Sequence, residues 1–195
     1  MDQIEIEIKT ALLDPEKVKQ QMMAKGAILQ GKRYQHDILL DPPTADFSKT
    51  DQVLRIRNSN GNWKLDYKSP RLDNETKSRR EYSLKIDDGE QLKQIFNWMK
   101  FNLVGEIEKT RETYKFKELN LHFDTVTNLG TFLEVESFGT QEQFEGIKKE
   151  IFQLLEELGI QETIKKDYLE LLWEKGYFKK EKKGITPTQL KFLQQ

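Results

Sequence analysis

Cysteine is absent from the 195-residue chain, which removes disulfides, thiolate zinc sites and cysteine nucleophiles from consideration. Histidine is nearly absent: His36 and His122 are the only two, too isolated for a histidine metal centre, and each is expected in a hydrogen-bonded structural role. None of the 11 glycines falls into the G-x-x-x-x-G-K-S/T spacing, so any phosphate must be held by side chains rather than by a backbone loop. No apolar run approaches the roughly 20 residues that span a membrane, and an acidic start with alternating isoleucines is not a signal peptide. A cytoplasmic protein is expected. An excess of one charge is also missing, since Lys+Arg 32 against Asp+Glu 33 leaves a net charge of −1, which argues against bulk nucleic-acid binding. Charge itself is plentiful at 33%, and a 36% hydrophobic content suffices for one core.

Apolar periodicity predicts strands interrupted by four helices. After an opening strand, a helix begins at Asp14 as N-cap with Pro15 in its first turn, carries Val18, Met22 and Met23, and stops at Gly26. Strands are expected at 28–40, 52–59, 62–69 and 78–86, the middle two joined by a hairpin at "NSNGN". A second helix follows Asp88 and Gln91, with Leu92, Ile95, Phe96 and Met99 as its stripe. Strands at 103–117, 119–126 and 130–138 precede a long helix opened by Thr140 and Gln143, bearing Phe144, Ile147, Ile151, Leu154, Leu155 and Leu158. A short helix lies near 165–175, and Trp63, Trp98 and Trp173 are expected in apolar surroundings. About eight strands in antiparallel succession with intervening helices indicate an α+β fold.

Side chains alternate between the two faces of a strand, and here each strand puts charge on one face. In "IEIEIK", Ile4, Ile6 and Ile8 oppose Glu5, Glu7 and Lys9. In "VLRIR", Arg55 and Arg57 oppose Leu54 and Ile56. The same parity groups Lys64, Asp66 and Lys68; Arg79, Glu81 and Lys85; Lys109, Arg111 and Lys115; His122 and Asp124; and Glu134 and Glu136. The signs sort by strand, with carboxylates on the first and last and cations mostly between. Closing the sheet into a barrel would bring the first and last strands together, gathering Glu5, Glu7, Asp124, Glu134 and Glu136 beside a wall of Lys9, Arg55, Arg57, Lys68, Lys109 and Arg111. Such an interior must be a wet tunnel with a ligand. Carboxylates suit Mg²⁺ or Mn²⁺, and a wall of Lys and Arg suits consecutive phosphates.

The ordered set "EIEIK", "LRIR", "LDYKSP", "TKSRREY", "EKTRETY", "LHFDTVTNLGTFLEVE" and "DYLELL" resembles the CYTH superfamily, the triphosphate tunnel metalloenzymes, and within it the class IV adenylyl cyclase branch. The resemblance runs from residue 3 to about 172, within a domain taken as 1–175; a basic tail, 176–195, has no counterpart and no assigned role. It implies an eight-stranded, mainly antiparallel tunnel with helices outside, binding a triphosphate and one or two divalent cations. It implies a catalytic role for Glu5, Glu7 and Lys9, metal ligation by Glu5, Glu7, Asp124, Glu134 and Glu136, and substrate binding by Lys9, Arg55, Arg57, Lys68, Arg79, Glu81, Lys109 and Arg111. Four positions depart from the family pattern: Leu39 and Leu40 replace a common aromatic pair, Ser69 replaces glycine, and Asp167 precedes Tyr168 where serine is usual. The reaction expected is ATP to cyclic AMP and pyrophosphate. The alternatives are hydrolysis of an inorganic, nucleoside or thiamine triphosphate, toward which the altered aromatic pair points, and a non-enzymic nucleotide or polyphosphate binder. The expected partner is a small triphosphate such as ATP or tripolyphosphate, and a homodimer is compatible with the sequence.

Overall fold

The computed structural model describes residues 4–177, so all but the start of the expected basic tail lies outside the described residues. Eight strands close into an antiparallel barrel in the order β1-β5-β4-β3-β2-β6-β7-β8. They are β1 (Ile4–Leu12), β2 (Ile28–Asp41), β3 (Val53–Ser59), β4 (Asn62–Lys68), β5 (Arg79–Ile86), β6 (Asn102–Phe116), β7 (Leu119–Val126) and β8 (Gly130–Gly139). The first and last strands are neighbours, with Glu7 opposite Glu136 and Lys9 opposite Glu134. At its other edge β1 meets β5 through Ile4 and Glu5 alone. The β3–β4 hairpin turns on Asn60 and Gly61, both at positive φ (49° and 84°), the backbone that a two-residue turn between twisted strands requires.

Among the described residues five helices accompany the barrel: α1 (Pro15–Ala24), α2 (Phe47–Thr50), α3 (Gly89–Trp98), α4 (Phe144–Glu157) and α5 (Tyr168–Glu174). Asp14 and Asp88 cap α1 and α3 by accepting the N–H groups of Lys17 and Gln91 at 3.0 and 2.9 Å. The short α2 has no apolar period and was not expected. The α4 helix starts at Phe144 rather than at Thr140, because the Gln143 side chain folds back onto the Thr140 N–H at 3.0 Å and makes a turn there.

The outer faces of the strands are the apolar ones. Ile4, Ile6 and Ile8 join Leu121, Phe123, Leu133 and Val135 beneath Val18 and Met22 of α1 and Ile151, Leu154 and Leu155 of α4. Burying Ile6 completely contributes about 1.5–3 kcal/mol. On the other side α3 covers Ile38, Leu40 and Ile56 with Leu92 and Phe96, together with Trp63 of β4. The rest of its expected stripe is misplaced: Ile95 and Met99 are 47% and 55% exposed, and Trp98, expected in apolar surroundings, is 78% exposed, since a helix lying on a curved barrel wall buries a narrow face. A third cluster, Ile107, Val126, Phe132, Tyr168, Leu169 and Leu172, closes one end of the barrel with α5 as its plug, and Trp173 packs against it. Among the described residues no helix is long and apolar enough to cross a membrane.

Candidate functional site

Register carries the charged parity of every strand into the barrel. Glu5 lies opposite Arg79, Lys68 opposite Glu81, Arg55 opposite Asp66, Asp37 opposite Arg57, and Arg111 opposite Asp124. Every residue expected in the site is therefore on the inner wall, and the side chains sort into three groups.

The first group is acidic. Oxygens of Glu5, Glu7 and Glu136 lie within 4.8 Å of one another. Lys68 Nζ donates to Glu5 at 2.6 Å and lies 2.9 Å from Glu81, while Lys77 Nζ donates to Glu7 at 2.9 Å. His122 bridges Thr113 Oγ1 (3.0 Å) and Glu136 Oε1 (2.9 Å), and Asn120 Nδ2 donates to that same carboxylate oxygen at 3.3 Å. Burial pushes the Glu5 carboxyl up to about 8; the Lys68 ammonium opposes this, and the neighbouring carboxylates of Glu7, Glu81 and Glu136 add to it. Against burial, Lys68 and Arg55 pull Glu81 down to about 2. The acidic group thus holds more negative charge than its own cations neutralise.

The second group is an ion-paired wall. Arg57 grips Asp37 through two 2.6 Å bonds, and Arg55 donates to Asp66 at 2.7 Å and to Asp37 at 3.4 Å. Arg111 grips Asp124 through two 2.6 Å bonds and also donates to Glu134; Lys109 and Tyr168 complete Asp124 at 2.6 and 3.1 Å. Burial disfavours the charged forms of Asp37, Asp124 and Glu134, yet these cations hold all three below the usual carboxylate range. Of the five carboxylates expected to converge, Glu5, Glu7 and Glu136 do so as one set of candidate cation ligands, whereas Asp124 and Glu134 are held by Arg111.

The third group lies under the plug. Lys9 is fully buried with its ammonium 4.1 Å from the Tyr168 ring, and burial together with Lys77 brings it down to about 7. Lys109 stands 4.9 Å from the same ring and falls to about 8 through burial and Arg111. Lys77 bridges Glu7 to Asp167 at 2.8 Å. Arg79 is 2% exposed, with both terminal guanidinium nitrogens lacking a hydrogen-bond partner and the carboxylates of Asp51 and Asp167 at 3.6 and 3.7 Å.

Sequence reasoning passed over Lys77 and the partner acids Asp37, Asp66 and Asp167. Lys77 and Asp167 lie in irregular segments, where a period of two carries no information. Asp66 shares the parity of Lys64 and Lys68 in the sequence, but its partner, like that of Asp37, depends on register. In place of the aromatic pair, Leu39 packs against the plug cluster and Leu40 lies under α3.

A closed barrel lined in this way has relatives. The CYTH domain family matches residues 3–168. A Methanocaldococcus jannaschii protein, provisionally named an adenylate cyclase, is 38% identical over 171 residues, covering 86% of this chain and 98% of its own. A solved Pyrococcus horikoshii structure superposes with a TM-score of 0.81 at 31% identity, covering 88% of this chain and 99% of that one. A Hippeastrum protein, described as a provisional adenylyl cyclase with a dominant triphosphatase activity, shares the fold at a TM-score of 0.62 and 21% identity, covering 89% and 96%. With the match running through β1 to the plug helix, the chain belongs to the CYTH domain family.

Proposed function

We propose that this chain is a divalent-cation-dependent enzyme that cleaves a phosphorus–oxygen bond of a triphosphate bound inside the barrel. The observation that carries the reading is the clustering of Glu5, Glu7 and Glu136 within 4.8 Å across from a wall of arginines and lysines. Three carboxylates crowded this closely form a hard-oxygen donor set suited to Mg²⁺ or Mn²⁺, and burial, with the neighbouring carboxylates adding to it, pushes Glu5 up in the absence of a cation. A cation held there would neutralise phosphate charge and activate an attacking water. The remaining work belongs to the chain. Arg55, Arg57, Lys68, Lys109 and Arg111 offer fixed donors, already oriented by Asp37, Asp66, Asp124 and Glu81, to successive phosphate oxygens. Arg79 has two guanidinium nitrogens without hydrogen-bond partners for the same purpose, and Lys9, opposite Glu134, adds a buried amine that is only partly charged at neutral pH. Tyr168, Phe132, Ile107 and Val126 shut the far end against water.

Hydrolysis is the first reading, because these side chains address phosphate and metal and leave the rest of the substrate unrecognised. Cyclisation of ATP is the second; the provisional name of the M. jannaschii relative favours it, as does Phe138, which lies opposite Glu5 and is 46% exposed where a base could stack. The test incubates the full chain with Mg²⁺ or Mn²⁺ and, separately, tripolyphosphate and ATP, and identifies the products. Orthophosphate from tripolyphosphate is expected. Cyclic AMP with pyrophosphate from ATP would replace the first reading by the second, and no metal-dependent product from either substrate would reject both.

A further inference from the structure

The end of the barrel opposite the plug carries charge that the site described above does not use. Lys64 on β4 stands opposite Arg57 on one side and Lys85 on the other. Arg33 on β2 stands opposite Arg111. Lys115 on β6 stands opposite Asn120, whose amide reaches Glu136, so it too faces inward. Like charges placed directly across a strand pair destabilise a sheet, and elsewhere in this barrel each inward arginine or lysine lies near a carboxylate. Among the described residues no ion pair engages Arg33, Lys64, Lys85 or Lys115; Lys115 donates to the Glu118 carbonyl at 3.0 Å instead. Arg33, Lys64 and Lys85 are exposed. The four make a cationic arc on β5, β4, β2 and β6, facing the acidic group on β1 and β8 across the mouth. Lys64 and Lys85 lie two residues beyond Asp66 and Ser83, about 7 Å further toward the opening.

We propose that this arc is a binding site for phosphate groups beyond the third, so that the substrate of the barrel is a linear polyphosphate chain longer than a triphosphate, emerging through the mouth. The proposal rests on the triphosphate reading and extends it outward. A neutral leaving group would leave four crowded cations uncompensated, whereas each added phosphate meets at least one of them. The same chemistry could come from an inorganic chain or from a nucleoside polyphosphate, and the two separate at Phe138, which only a base would use.

The test measures binding to the full chain by calorimetry, in EDTA so that nothing turns over, because the cations of the arc need no metal to attract phosphate. The probes are tripolyphosphate, a longer linear polyphosphate and adenosine 5′-tetraphosphate; the variants are the double Lys64→Ala/Lys85→Ala, Arg33→Ala and Phe138→Ala. The longer chain is expected to bind about tenfold more tightly than tripolyphosphate. The double variant should erase that advantage and leave tripolyphosphate within about twofold of wild type. A loss on Phe138→Ala confined to adenosine tetraphosphate would assign the nucleoside source, and no loss there the inorganic one. Equal affinity of wild type for long and short chains, equal losses for both in the double variant, or no binding of the longer chain would overturn the proposal. Because product formation with Mg²⁺ is read separately, that failure is distinguishable from failure of the triphosphate reading.

Discussion

The two ends of the barrel differ in how far their charges are satisfied. At the plug end Asp124 holds Arg111, Lys109 and Tyr168 at once, Lys77 ties Asp167 to Glu7 at the inner edge of the acidic group, and an apolar cluster seals the opening. Toward the mouth, Glu5, Glu7 and Glu136 crowd together, and Arg33, Lys64 and Lys85 have no acidic partner among the described residues. One end is finished by the chain, whereas on the proposed function the other would be completed by its ligand. Substitutions at the plug end should therefore cost stability, and those toward the mouth should cost function while sparing or raising stability.

The largest effect is expected for Asp124→Asn. Asp124 is fully buried, and removing its charge leaves Arg111 and Lys109 with Glu134 as their remaining buried acid, a loss of about 3–5 kcal/mol by analogy with broken buried pairs. Denaturant midpoints would measure it. A variant that melts like wild type yet loses its metal requirement would break the comparison, moving Asp124 to the cation-binding side.

Next comes Glu136→Gln. The amide keeps its hydrogen-bonding shape beside His122 and Asn120 while removing one of three crowded charges, so the metal-free melting temperature should hold or rise. Metal-dependent turnover should fall about 100-fold. Full activity with unchanged metal affinity would remove Glu136 from the cation-binding set.

How much of this was readable from the chain follows from which physics acts locally. Alternation of Ile4, Ile6 and Ile8 with Glu5, Glu7 and Lys9 is a property of the strand itself, and the same alternation placed Arg55, Arg57, Lys109, Arg111, Glu134 and Glu136 on the inner face. That β1 and β8 are neighbours follows only once the sheet closes, and the closed tunnel was implied by the family resemblance rather than by the carboxylates, which repel one another across the pair. Pair identity did not follow: that Arg57 takes Asp37 and Arg111 takes Asp124 depends on register between strands distant in sequence. The exposure of Trp98 and the α2 turn depend on how a helix or loop lies against the finished barrel. Lys77 and Asp167 enter from irregular segments whose direction only the closed structure sets.

A pH titration sharpens the same contrast at smaller scale. Arg57 and Arg55 hold Asp37 below its ordinary value against the opposing effect of burial, so its folded-state pKa is depressed relative to about 3.9 in the unfolded chain. As pH falls below about 4, the unfolded chain takes up the proton first, and the stability present at neutral pH is lost as pH drops toward the folded-state value. Asp37→Asn should remove about one proton from the uptake on unfolding, flattening the acid limb by roughly 1.4 kcal/mol per pH unit within that window. Identical acid limbs in melts of both proteins would show that Asp37 is not a source of acid sensitivity.

The smallest effect, and the one of opposite sign, is expected for Lys64→Gln. Lys64 is exposed and sits between Arg57 and Lys85 in register, so removing its charge relieves two cross-strand repulsions of roughly 0.2–1 kcal/mol each, while the glutamine retains much of the aliphatic stem. In a chain of this size that corresponds to a rise of about 1–8 °C in the ligand-free melting temperature. Because the charges are exposed, the gain should shrink in high salt as screening weakens the repulsion in wild type. Polyphosphate should reverse the order, stabilising wild type more than the variant. At the plug end no such inversion is available, since Lys77→Gln removes the bridge between Glu7 and Asp167 and should lower the melting temperature at any salt concentration. Paired melts of Lys64→Gln and Lys77→Gln in low and high salt decide the matter: if both variants move the same way, the two ends of the barrel are not differently satisfied.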